Sequence, residues 1–221
     1  MKAAFISDIH GNAVALERVL ADIEKKQVDK IVVLGDLAFR GPEPKRSLDL
    51  VRSLNAEVIK GNWDEWGVRG VRKGEVPDHV LEGMNKERKW TLSQLDEEDI
   101  QYLNDLPETL AVSVGDAKIR VFHATPESMF EVVRPGDPDD LLKEKMFKNE
   151  SISIYGHIHL PFVRFIDGKI LINTGSVGLP FDGMAKASYV IVEVDGGNIR
   201  TSIERVEFDV EKVVSLFEKG N

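Results

Sequence analysis

The chain contains no cysteine, so neither a disulfide nor a thiolate metal ligand is available to it. That absence suits a reducing compartment, and the expected location is the cytoplasm. Long apolar runs are missing too. No window nears the roughly 18 to 20 residues that a membrane span needs, and the opening MKAAFISDIHG offers a strand-sized apolar stretch, not the longer core of a secretory signal. No membrane partner is therefore expected. Basic residues are in the minority, 29 Lys and Arg against 38 Asp and Glu, for a net charge of −9. Broad nucleic-acid binding relies on a basic surface, so no stable nucleic-acid complex is expected, and an anionic substrate requires a local reversal of sign. Histidine is also scarce: five in 221 residues, two of them two positions apart in SIYGHIHLP at 153–161.

What is present reads as α/β. The run KAAFIS (2–7) predicts a strand, and Leu16, Val19, Leu20 and Ile23 fall on one helical face behind Asn12, an N-cap type. KIVVLG (30–35) predicts a buried strand ended by glycine. Pro42 and Pro44 open a helix carrying Leu48, Val51 and Leu54, and EVIKG (57–61) predicts a third strand. This βαβαβ rhythm implies a parallel sheet with covering helices. Residues 63–106 read as mostly helical, with Asp96 capping a helix that bears Ile100 and Leu103 and stops at Pro107. From residue 110 the pattern turns to hairpins about Gly115-Asp116, Asp167-Gly168 and Asp195-Gly196-Gly197. No linker or repeat breaks the chain, which reads as one domain over 1–221 with two sheets and a helical excursion at about 63–106.

Chemistry-bearing residues follow the predicted strands. Asp8 and His10 come after the first, Asp36 after the second, Asn62 after the third, His123 after KIRVF, and His157 and His159 after SISIYG. In α/β sheets the C-terminal strand ends gather along one edge, where ligands bind. Residues two apart on an extended chain point the same way, so Asp8 with His10, and His157 with His159, are expected to aim as pairs into one space. His79, in VPDHVL, follows no strand and is read as a surface residue. Nitrogen and oxygen donors without sulfur suit Mn²⁺, Fe, Co, Ni or Zn²⁺, with Mn²⁺ favoured. Two such ions about 3.5–4 Å apart share a carboxylate and a water, and Asp36, standing between the other donors, is the natural bridge. With Asp8 and Asp36 ionised, two divalent ions leave a positive surplus that attracts phosphate to an acidic chain.

SDIHGN, LGDLAFRG, KGNWDE, FHATP and YGHIHLP, in that order, resemble the motifs of the calcineurin-like metallophosphoesterase superfamily, and most closely its small prokaryotic phosphodiesterase branch. NTGSVGLP (173–180) resembles the glycine-serine loop of the same family. The resemblance implies a four-layer α/β/β/α sandwich of two mixed β-sheets flanked by helices. It implies one ion held by Asp8, His10, Asp36 and His159 and another by Asp36, Asn62, His123 and His157. The implied reaction is in-line attack on phosphorus by a metal-bridging hydroxide, with Asp36 and Arg40 as catalytic residues. Arg40, Asn12 and Trp63 are the candidate substrate contacts, and Ser176 a residue near the site. One departure matters. Many members have histidine where this chain has Trp63, and an indole cannot protonate a leaving group at neutral pH. The expected partner is a small phosphorylated substrate, a phosphodiester or nucleotide-like compound, with either weak activity on poor leaving groups or a leaving group that is already acidic. A phosphomonoesterase or serine/threonine protein phosphatase, and a non-catalytic binding scaffold, are the alternatives. No sequence feature specifies an oligomeric state.

Overall fold

The computed structural model describes residues 1–219. Its strands are β1 (Lys2–Ile6), β2 (Lys30–Val33), β3 (Glu57–Val58), β4 (Thr109–Val114), β5 (Ala117–Phe122), β6 (Ile152–Tyr155), β7 (Phe162–Ile166), β8 (Lys169–Asn173), β9 (Lys186–Asp195) and β10 (Asn198–Glu207). Its helices are α1 (Ala13–Lys26), α2 (Pro44–Ser53), α3 (Asn62–Arg69), α4 (Asp78–Leu92), α5 (Glu97–Asp105), α6 (Asp139–Met146) and α7 (Val210–Lys219). The strands form two five-stranded sheets, ordered β10-β9-β1-β2-β3 and β4-β5-β6-β8-β7. Both are mixed: β1, β2 and β3 run parallel while β9 pairs antiparallel with β1 and β10, and β5, β6 and β8 run parallel between antiparallel β4 and β7.

Three apolar clusters define the layers. Alternate residues of β1 serve different cores because both faces of the sheet are covered. Ala3 and Phe5 join Val121, Ile154, Ile172 and Val192 between the sheets. Ala4 and Ile6 face the other way, toward Leu16 and Val19 of α1 and Leu48 and Val51 of α2. Behind the second sheet, Phe122, Tyr155 and Leu171 meet Leu142 and Met146 of α6. The four-layer α/β/β/α sandwich expected from the sequence is the fold observed.

Local chemistry sets the element ends. Asn12 caps α1 by accepting the Ala15 N–H at 3.0 Å, Pro44 takes the first turn of α2, and Asp96 with Asp99 forms a capping box on α5. Two expectations change. Leu54 lies beyond α2 in extended backbone, and the third strand is Glu57–Val58 rather than 57–61, because the chain leaves the edge of β2 after Ile59 donates its N–H to the Val33 carbonyl. The first sheet is also larger than its parallel βαβαβ part, since β9 and β10 extend it with antiparallel strands from far along the chain. The helices α6 and α7 were not anticipated. No helix of the described residues is long and apolar enough to cross a membrane.

Candidate metal centre

The parallel strands of both sheets deliver their C-terminal ends to one place. β1 leads to Asp8 and His10, β2 to Asp36, β3 to Asn62, β5 to His123, and β6 to His157 and His159. Hydrogen bonds stitch the sheets together there. His123 Nδ1 lies 2.7 Å from the Leu34 carbonyl, and the His157 N–H donates to Asp8 Oδ2 at 3.0 Å. Six of the seven residues are buried, and His157 is partly exposed.

The paired side chains do not arise from extended backbone, which corrects the reason given by strand geometry. Asp8, His10, Asp36, His157 and His159 all lie past their strands at φ between 49° and 66°, and Arg40 sits at 82°. Of the eight non-glycine residues at positive φ among the described residues, six are these. Such backbone costs of order 1 kcal/mol or more per residue and persists where surrounding contacts over-determine it. Here the Asp8 and His10 N–H groups donate to the Gly35 and Asp36 carbonyls at 3.1 and 2.9 Å. Asp36 in turn donates its N–H to Asp64 Oδ2 at 2.7 Å.

The donors form two groups joined at one oxygen. Ligand atoms of Asp8, His10, Asp36 and His159 all lie within 4.8 Å of one another. On the other side, Asn62 Oδ1 is 2.9 Å from both His123 Nε2 and His157 Nδ1. Asp36 Oδ2 stands between them, 3.6 Å from His10 Nε2 and 3.4 Å from His123 Nε2.

This donor set fits a cation. His10 Nδ1 and His159 Nδ1 face the Phe39 and Leu179 carbonyls, which only accept, so each ring donates from Nδ1. Their Nε2 atoms then confront each other at 3.1 Å. Asp8 Oδ1, 3.0 Å from His159 Nε2, is buried with no hydrogen bond. Electron-rich atoms crowded this closely need a proton or a metal ion among them. Burial pushes His10 down to about 4, against the Asp36 and Asp8 charges, and burial with neighbouring His123 pushes His157 down to about 4. Burial opposes protonation of His123 as well, but the Asp36 carboxylate outweighs it and holds that imidazole up at about 10. Burial would raise the Asp8 carboxyl, yet His159, His123 and His10 hold it well below the usual carboxylate range.

Glycines make room for the two carboxylates. A Cβ on Gly61 would lie 2.2 Å from Asp36 Oδ1, and one on Gly156 would lie 2.5 Å from Asp8 Oδ2. These positions were missed as site determinants, although each immediately precedes a donor, in GN and GH.

The remaining candidates take definite places. Trp63 is buried in the helix-side core, where it meets Trp66 edge-on, and the Arg40 guanidinium lies 5.1 Å from its ring centre. Its backbone N–H donates to Asp36 Oδ1 at 2.8 Å. Asn12 uses its amide internally, accepting from Ala15 and donating to the Gly178 carbonyl. Ser176 donates to the Asp8 carbonyl at 2.7 Å and accepts the Leu179 N–H. Phe181, exposed, stacks on His159 with ring centres 4.4 Å apart. His79 is exposed in α4.

Fold and donor set together define a class, the metallophosphoesterases. The family model of the calcineurin-like phosphoesterase superfamily domain matches residues 1–197, and the chain belongs to that superfamily. It is 34% identical to the uncharacterized protein MJ0912 of Methanocaldococcus jannaschii, over 98% of this chain and 92% of that protein. It is 27% identical to the phosphodiesterase YfcE of Escherichia coli, over 88% and 89% of the two chains. Among solved structures, a metallophosphoesterase from Sphaerobacter thermophilus matches with a TM-score of 0.81 and 29% identity, covering 99% of this chain and 93% of that one.

Proposed function

We propose that this chain is a divalent-metal-dependent phosphodiesterase acting on small, nucleotide-like substrates with acidic leaving groups. The observation that carries the reading is the place of Asp36 Oδ2, flanked at 3.6 and 3.4 Å by histidines of two donor groups. Asp8, His10, Asp36 and His159 would hold one ion, and Asp36, Asn62, His123 and His157 a second. Mn²⁺ is favoured, and Fe, Co, Ni or Zn²⁺ match the same donor types. Bound there, divalent ions supply Lewis acidity toward phosphoryl oxygens and make water acidic enough to ionise near neutral pH.

The protein's own groups do the rest. Arg40 is exposed beside the donors, and its guanidinium offers a fork of N–H groups to phosphate oxygens. Trp63 carries no proton a leaving oxygen can take. Asp64 cannot stand in for the missing acid, because it is fully buried and accepts the N–H groups of Asp36, Leu37 and Gly61 at 2.7–2.9 Å. With no acid in this loop, leaving groups that depart without protonation are favoured. The name of the Escherichia coli relative supports the diester preference. α4 and α7 wall the approach beside Arg40, which supports a small substrate over a folded phosphoprotein. The cytoplasm, where such compounds abound, remains the proposed location.

The test is a substrate panel on the Mn²⁺-loaded protein: bis(p-nitrophenyl) phosphate, p-nitrophenyl phosphate, dinucleoside polyphosphates and a phosphoserine peptide. The reading predicts that the diester turns over faster than the monoester and the peptide. Preference for the peptide would assign a protein phosphatase. Absence of turnover with Mn²⁺, Ni²⁺, Co²⁺ and Fe²⁺ alike would leave the fold as a binding scaffold.

A further inference from the structure

A cavity of about 510 Å³ opens between α4, α7 and the loop that carries Arg40. A smaller cavity of about 160 Å³ adjoins it through the shared residues Arg40, Gly41, Pro42 and Phe217, and reaches His10. The larger one is of the size that takes a drug-sized or nucleotide-sized ligand. Its walls include Trp90 of α4 and Phe217 of α7, two aromatic side chains, with Leu216 beside them. Trp90 is half-buried, and Phe217 is exposed. Cationic groups sit on the same rim: Lys86 is exposed, and Arg40 lies 4.0 Å from Glu87. In a chain of net charge −9 this places aromatic surface beside a rim whose two cations, Arg40 and Lys86, outnumber its one acid, Glu87, on a cavity that continues toward His10.

We propose that this α4–α7 cleft is the subsite for the planar ring of the substrate, a nucleobase or aryl group stacked against Trp90 and Phe217, while Arg40, which lines both cavities, faces the phosphate. The proposal rests on the phosphoesterase reading and names the substrate class of that same site. Base stacking on an aromatic side chain is sequence-tolerant and is worth about 1–3 kcal/mol per base, so the cleft selects for a ring without specifying which base. The smaller cavity, which reaches His10, then lies between the ring and the donors.

The test separates ring recognition from hydrolysis. Calorimetric titration of the folded, full-length protein with AMP and with ribose 5-phosphate, metal-free and Mn²⁺-loaded, reads binding directly. AMP is expected to bind about tenfold more tightly than ribose 5-phosphate in both states. Phe217→Ala, at an exposed position, is expected to remove most of that difference and leave ribose 5-phosphate affinity within about twofold. Trp90→Phe, which keeps an aromatic wall, is expected to retain it, whereas Trp90→Ala loses it. Equal binding of AMP and ribose 5-phosphate by the wild-type protein overturns the proposal, as does equal weakening of both ligands in Phe217→Ala. Tighter binding of a phosphoserine peptide than of AMP assigns the cleft to a peptide and also overturns it. Hydrolysis of bis(p-nitrophenyl) phosphate without ring preference would leave the phosphoesterase reading standing and remove only the subsite. Ring preference without any hydrolysis would do the reverse.

Discussion

Asp64 holds Asp36 by its backbone, through an N–H donated to Asp64 Oδ2 at 2.7 Å, and the same oxygen takes the Gly61 N–H at 2.9 Å. One carboxylate thus pins the loops after β2 and β3, which carry Asp36 and Asn62. Burial and the nearby Asp36 charge push the Asp64 carboxyl up to about 7, and the backbone donors of Gly61 and Leu37 oppose them. Asp64→Ala leaves buried N–H groups unpaired. We expect a loss of about 3 kcal/mol, seen as a melting-temperature drop of about 6–12 °C for a chain of this size. The variant's Mn²⁺ content, measured by atomic emission, should fall with it.

Gly156→Ala should act more locally. The added methyl would sit 2.1 Å from Ser7 Oγ and 2.5 Å from Asp8 Oδ2, a distance no carbon and oxygen tolerate, so Asp8 must move. We expect Mn²⁺ affinity to fall at least about tenfold, the scale on which disturbed ligand positioning acts. Isothermal titration of the wild-type and variant proteins checks this.

Asn62 and Asp36 should differ in what they remove. Asn62 touches only the His123–His157 side, whereas Asp36 faces both. Asn62→Ala is therefore expected to lower the bound metal from two ions to one per chain, and Asp36→Asn to lower both. Metal stoichiometry after equilibrium dialysis distinguishes the two.

Trp63→His tests the missing acid. It places an imidazole where this chain has an indole. It also removes the ring that Arg40 lies over and leaves space in the helix-side core, at a stability cost of about 2–3 kcal/mol. Hydrolysis of alkyl phosphates should rise about tenfold or more, while aryl phosphates change little. The slope of log kcat/KM against leaving-group pKa should flatten, and an unchanged slope would contradict the assignment.

Much of the architecture was legible because the signals were local. Asn12, Pro44 and Asp96 mark helix starts by chemistry that acts within a turn, and the Asp167-Gly168 turn sets the β7–β8 register from two residues. The pairing of Lys2 with Glu193, which brings β9 into the first sheet, spans almost the whole chain and leaves no local trace. The donors were found because each follows a strand, and the parallel strands of both sheets end at one edge. The conformation that aims them was not legible. Asp8 and His10 look like members of an extended strand in sequence, yet both adopt positive φ, a choice imposed by Gly35, Asp36 and the other loops packed against them.

The central claim is that two donor groups meet at Asp36 and take one divalent ion each. A crystal of the protein soaked in Mn²⁺ and measured for anomalous scattering tests it most directly. Two peaks are predicted, one among Asp8, His10, Asp36 and His159, the other among Asp36, Asn62, His123 and His157, with Asp36 in contact with both. A map with no peak at these residues, or with a lone peak that Asp36 does not touch, would contradict it.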